Sequence, residues 1–218
     1  MSISKKGAFI SFEGIDGCGK STQVSLLIER LEKENIDSVL VREPGGTKIS
    51  EDVRSILLSN QNSQMRSRTE ALLMTASRAQ LTSEKIIPAL DAGICVVADR
   101  FKDSTLAYQG GGRELDLDIL LKLNNFATYD IDPDITFNID LDAQLAFDRS
   151  KSNESDRIEN AGINFQKKVR DTYTNISKKF SDRVVTINGE DSISLIHSTI
   201  WEKTINCINE KNLSLIHI

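Results

Sequence analysis

The segment Gly14-Ile15-Asp16-Gly17-Cys18-Gly19-Lys20-Ser21 follows the pattern G-x4-G-K-[ST], with Thr22 directly behind it. Glycines at 14, 17 and 19 let the backbone curl until successive N–H groups face one point, which makes a cradle for phosphate. Lys20 adds a point charge suited to the β- and γ-phosphates of a nucleoside triphosphate, and the Ser21 hydroxyl can ligate Mg²⁺. Asp16 is the second metal candidate, because a carboxylate among phosphates needs a cation or an arginine beside it. The pattern has this meaning only between a strand and a helix. AFISFE precedes it as a short apolar run, and STQVSLLIERL follows with apolar residues at helical spacing. No guanine-reading N-K-x-D occurs, which argues against a GTPase; a nucleoside triphosphate with Mg²⁺ is the expected ligand.

Two further segments carry charge without an evident structural task. Asp99-Arg100-Phe101 ends one apolar run, and Arg42-Glu43-Pro44-Gly45-Gly46-Thr47 ends another. In open α/β folds, ligands bind at the carboxyl ends of strands, so these charges and the glycine loop should share one edge. Their chemistry is limited by what the chain lacks. Both histidines, His197 and His217, fall near the C-terminus, and Cys18, Cys95 and Cys207 form no CxxC. A His-dependent triad, a His-ligated metal and a disulfide framework are therefore excluded, leaving Lys, Arg, Asp and Glu to do the work. Lys plus Arg total 27 against 32 Asp plus Glu, a net charge of −5, which argues against a nucleic-acid partner. No apolar run reaches the roughly 18 residues of a membrane span, so no membrane partner and a cytoplasmic address are expected.

The elements that must hold these residues can be read from periodicity. Strands are expected at Ala8–Glu13, Ser38–Arg42, Ile94–Asp99, Asp134–Asp140 and Arg183–Asn188, mostly as continuous apolar runs suited to burial on both faces. Helical spacing covers Lys20–Asn35, Glu51–Ser59, Ser67–Leu90, Asp116–Tyr129, Asp142–Ser150, Phe165–Phe180 and Ser192–Glu210. This alternation predicts one α/β domain, residues 1–212, on a parallel sheet with right-handed crossovers. EPGGT and Gln109–Arg113 (QGGGR) are expected to be loops, and the charged stretch Asp148–Glu159 a surface excursion. The final Leu213–Ile218 (LSLIHI) coincides with one translated frame of a transposon-end sequence used in library preparation, and is expected to be a non-native tail.

With those residues in view, the chain resembles the bacterial thymidylate kinases. The segments that carry the resemblance are FEGIDGCGKST, VREPGGT, TEALLMTASRAQ, ADRFKDSTLAYQGGGR and SDRIE followed by a helix, in that order. The resemblance implies the nucleoside monophosphate kinase fold of the P-loop NTPases: a five-stranded parallel sheet wrapped by helices, with a short mobile lid at about 148–160. It also implies ATP and dTMP as small-molecule partners, phosphoryl transfer between them, and a homodimer.

The resemblance assigns roles as well. Gly14 to Thr22 would line the triphosphate, while Arg100 and Arg78 would meet the monophosphate, as guanidinium forks suit a doubly charged phosphate. Thr105, Tyr108 and Gln109, with Ser104 before them, fall in the stretch that reads base and deoxyribose, and Glu43 and Asp16 are the acids beside the phosphates. The chain departs from the family at two places. Met74 stands where the family has a phenylalanine against the base, and the lid is sparse in arginine. Gly17 occupies the position that carries arginine in the eukaryotic-type enzymes, so Arg149 or Arg157 of the lid is expected to be catalytic. Another nucleotide or deoxynucleoside kinase, or a silent ATP-binding module, are the alternative readings.

Overall fold

The computed structural model describes residues 6–150 and 156–213. Five parallel strands, β1 (Phe9–Glu13), β2 (Ser38–Arg42), β3 (Cys95–Asp99), β4 (Ile135–Asp140) and β5 (Val184–Asn188), form one sheet in the order β2-β3-β1-β4-β5. Every expected strand is present. Four begin one residue later than periodicity suggested, and Ser38–Arg42 is unchanged. Alternate residues serve opposite faces: Phe9, Val96 and Ala98 pack with Leu81, Ile86 and Leu90, while Ile10, Phe12, Val97 and Phe137 pack with Val24, Leu27 and Val169. Both faces are covered, which is why these strands read as unbroken apolar runs.

The helices are α1 (Lys20–Lys33), α2 (Lys48–Leu58), α3 (Ser67–Leu81), α4 (Ile87–Asp91), α5 (Lys102–Thr105), α6 (Leu117–Thr128), α7 (Ala143–Ser150), α8 (Ile163–Lys179) and α9 (Ile193–Leu213). The single helix expected over Ser67–Leu90 is present as a continuous helical stretch, residues 67–91, but it widens at Thr82–Ile86, between α3 and α4, just before Pro88, which has no N–H to continue a regular ladder. The expected loop at Gln109–Arg113 is corrected more sharply. Its glycines belong to wide helical turns, Leu106–Gly112, that continue α5. A Cβ on Gly111 would lie 1.9 Å from Thr172 Oγ1, and one on Gly112 would lie 2.3 Å from the Phe165 ring. The glycines are there to let α8 approach, a long-range demand invisible in local sequence.

The site is set by register. Phe12 pairs with Asp99, and Asp99 pairs with Arg42, so β1, β3 and β2 end at one level. From β1 the chain runs to one side for β2 and β3 and then crosses to the other side for β4, and ligands bind at such a reversal of strand order. Of the expected lid, residues 151–155 lie outside the described residues. So do residues 214–218 of the expected tail, whose first residue, Leu213, ends α9.

Candidate active site

A cleft of about 700 Å³ opens at this edge. Its floor begins with the glycine loop. Gly14, Gly17 and Gly19 all have φ between +81° and +136°, and Gly19 caps α1. Lys20, the first residue of α1, is buried; its Nζ donates to the carbonyls of Gly14 (3.1 Å) and Ile15 (2.9 Å). Asp16, Gly17, Cys18, Gly19, Ser21 and Thr22 line the cleft beside it. Gly17 has a second constraint: a Cβ there would sit 2.2 Å from the Ala146 carbonyl of α7. An arginine cannot occupy this position without moving α7. Arg149, one turn further along the same helix, lines the cleft instead.

The opposite wall is held by Arg100. It follows β3 at φ +71°, a region L side chains rarely adopt. Its Nη2 meets Asp16 Oδ1 at 2.5 Å, and its Nη1 donates to Gly14 O at 2.9 Å. Asp16 Oδ2 accepts from the Tyr108 hydroxyl at 2.8 Å. Burial opposes ionisation of Asp16, but Arg100 and Lys20 outweigh it, with help from Tyr108, and hold the carboxyl at about 2. Glu13, the last residue of β1, goes the other way. It is fully buried with Asp103 nearby, and its carboxyl is pushed up to about 7 despite hydrogen bonds from Ser104 and the Phe101 N–H.

Glu43, Met74, Arg78, Ser104, Thr105, Tyr108 and Gln109, all assigned to substrate by resemblance, are brought to this same cleft. Several are engaged in ways the sequence did not indicate. Arg78, expected on the monophosphate, spends its five N–H groups on Glu43, Thr105, Asn124 and the Phe101 carbonyl. It frames the pocket floor from a position almost without solvent contact. Burial raises the Glu43 carboxyl above its ordinary value, with Arg78 opposing. Gln109 donates to Glu70 at 3.0 Å. Arg42, exposed, pairs with Glu51 at 2.8 Å.

The two lid arginines part company. Arg157 is buried outside the cleft, paired with Glu70 at 2.7 Å and donating to Leu57 O at 2.8 Å. The surface excursion expected over Asp148–Glu159 is therefore anchored at its far end, where Ile158 is buried too. Burial disfavours a charged Glu70, yet Arg113, Gln109 and Arg157 together lower its carboxyl. Arg54 was not singled out in the sequence. It lies on α2, donates to Pro44 O at 2.7 Å and lines the cleft near Arg100. Its helical spacing with Ser50 and Leu57, the buried residues of α2, was the available signal. Tyr173 of α8, which donates to Glu13 at 2.8 Å, had none.

Mg²⁺ in nucleotide sites keeps most of its water and takes few protein ligands. Among the described residues no cluster of three acidic, His or Cys side chains could hold a metal alone. Ser21, on the first turn of α1 at the cleft surface, fits that limited role. Asp16 gives one oxygen to Arg100 and the other to Tyr108, so it fits as the partner that fixes Arg100.

Comparison with known proteins identifies the family. A family model described as thymidylate kinase matches residues 12–200. Thymidylate kinase of Caldanaerobacter subterraneus subsp. tengcongensis is 46% identical over 195 residues, 89% of this chain and 93% of that one. The enzyme of the same name from Thermosipho melanesiensis is 49% identical over 192 residues, 88% and 94% of the two chains. The crystal structure of thymidylate kinase from Ehrlichia chaffeensis superposes with a TM-score of 0.74 at 36% identity, over 91% of this chain and 99% of that one.

Proposed function

The chain belongs to the thymidylate kinase family, and from that premise we propose how its cleft moves the γ-phosphoryl group of ATP onto dTMP, giving ADP and dTDP. One observation carries the division of labour. Lys20 from the triphosphate loop and Arg100 from the acceptor wall both donate to the Gly14 carbonyl, so the two cations meet at one atom. Donor and acceptor phosphates meeting there would each have a positive charge beside the transferring group.

The nucleophile is an oxygen of the dTMP phosphate, whose second pKa is about 6, so it is ionised at neutral pH and needs no general base. Lys20 and the loop amides hold the β- and γ-phosphates. Arg100, fixed by Asp16, and Arg54 hold the acceptor phosphate, and Arg149 reaches the charge that builds on the transferring group. Mg²⁺, held by Ser21 and the nucleotide, would neutralise phosphate charge. Arg78, Thr105, Tyr108 and Met74 shape the base and sugar end.

The exposed Leu72 of α3 and Phe126 of α6 lie on helices packed together, which supports a homodimer through that face. The expected setting is the cytoplasm, and no helix among the described residues is long and apolar enough to cross a membrane. Coupled detection of ADP tests the reaction: turnover with dTMP should far exceed that with dUMP, CMP or thymidine. ATP binding without dTMP-dependent ADP release would overturn it.

A further inference from the structure

The turn that carries Arg100 does not hold itself. Its left-handed backbone is supported by the Arg100 N–H on Phe12 O at 3.0 Å and by the next amide, Phe101 N–H, on Glu13 Oε1 at 2.8 Å. The other oxygen of Glu13 accepts from the Ser104 hydroxyl at 2.6 Å and the Tyr173 hydroxyl at 2.8 Å. One buried carboxylate thus ties the strand leading into the glycine loop to the Arg100 turn, to α5 and to α8.

Resting on the reaction above, we propose that Glu13 is a positioning residue whose carboxylate form holds Arg100 in its working place for the acceptor nucleotide. It touches neither substrate. It acts by accepting three hydrogen bonds at once, which only the ionised carboxylate does without conflict. Protonation would put a hydrogen where Ser104 and Tyr173 both donate, and one of the two would have to turn. Ser104 and Tyr173 also lie 3.4 Å from Arg100 Nη1, so the disturbance reaches the guanidinium directly.

The charged surroundings bear on when this occurs. Arg100 faces Glu13 from its own turn, Asp103 from α5, and Arg183, before β5, grips Asp103 with both terminal nitrogens. Burial and Asp103 favour the proton, Arg100 and the hydroxyl donors resist it, and the balance falls near neutrality. Acceptor handling should therefore weaken as pH drops from 8 to 6, beyond what the dTMP phosphate, with a pKa of about 6, imposes by itself.

Steady-state kinetics of wild type and Glu13→Gln over pH 5.5–8.5 test this. In Glu13→Gln at pH 8, KM for dTMP should rise by roughly tenfold or more while KM for ATP stays within about twofold. Its acid limb should follow the substrate phosphate alone, whereas the wild type shows an added ionisation near 7. If Glu13→Gln does not fold, as judged by its thermal transition, Tyr173→Phe serves. Losing a donor to the carboxylate, it should move the wild-type limb to higher pH. Unchanged KM for dTMP in Glu13→Gln, or no shift of the limb in Tyr173→Phe, would overturn the proposal. Absence of any dTMP-dependent turnover in the wild type would overturn the reaction instead.

Discussion

The two halves of the cleft are built on different plans. The side proposed for the triphosphate is nine consecutive residues, Gly14 to Thr22, shaped by left-handed glycines and the start of α1. The acceptor side is assembled from Glu43 after β2, Arg54 on α2, Arg78 on α3, Arg100 after β3 and Tyr108 beyond α5. The first is local and presented by main chain; the second is a set of buried and half-buried side chains gathered from separate elements, Arg78 holding Glu43 and Arg100 tied through Asp16 to Tyr108. A local cradle can lose a charge and keep its shape. A gathered set loses both together.

Breaking the comparison at its firmest point should have the largest effect. Lys20→Ala removes the one side-chain cation the loop supplies and should lower kcat on the order of 10³-fold. The folded state should survive, because Nζ is held by two loop carbonyls and not by the apolar core. A residual kcat above a tenth of wild type would remove Lys20 from the chemistry.

The lid sharpens the contrast. Arg149→Ala should lower kcat by about 100-fold with little change in KM for ATP, since its charge is needed mainly as the phosphoryl group moves. Gly17→Arg should not restore it, because α7 closes the space over that residue. Arg157→Ala should instead cost stability, about 1–3 kcal/mol in urea unfolding, because Glu70 keeps Arg113 and Gln109 but loses its third partner. If Arg157→Ala abolishes turnover at unchanged stability, the lid must rearrange far enough to bring it into the cleft.

What the sequence made legible follows the same division. The strands and the glycine loop were readable because each depends on neighbouring residues, and their shared edge because open α/β sheets gather ligands at the carboxyl ends of strands. Periodicity could not show that QGGGR is helical, because its glycines answer to Thr172 and Phe165 some sixty residues away. Nor could it show that Arg78 is saturated by four residues spread from Glu43 to Asn124, or that Arg157 faces Glu70. The acceptor residues were named through resemblance. Their partners needed the fold.

Two carboxylates three residues apart give the comparison a pH signature. Asp16 is held at about 2, below its usual 3.8, so its contribution to stability is present above pH 3.8 and is lost as pH falls through 2. Glu13 is raised from 4.5 to about 7, so its contribution is fullest below 4.5 and is lost as pH rises through 7. The stability gap between wild type and Asp16→Asn, on the order of 1–2 kcal/mol at pH 5, should therefore close in acid. The gap for Glu13→Gln should move in the opposite sense between pH 5 and 8. Urea midpoints from pH 2 to 8 check both, the Asp16 gap between 4 and 2 and the Glu13 gap between 5 and 8, and parallel slopes throughout would show that the two sites are not electrostatically distinct.

The smallest effect concerns Met74, where the resemblance leads one to expect phenylalanine. Met74 is half-buried on α3, one turn before Arg78, and lines the cleft. Its thioether can lie across a base, but a ring offers a flat face with stacking geometry that sulfur lacks. An aromatic pair is worth about 0.5–1.5 kcal/mol beyond area burial, which is roughly 2–10-fold in affinity. Part of that gain is offset, because Met74 also packs against the main core and a stiffer ring must find room there. Met74→Phe should therefore lower KM for dTMP by about two- to fivefold, with kcat within twofold and the thermal midpoint nearly unchanged. Discrimination against CMP should improve by a similar factor if the ring lies on the base. Should KM stay fixed while the midpoint falls, Met74 belongs to the packing of α3, and base recognition rests on Thr105 and Arg78 without a stacking partner at this position.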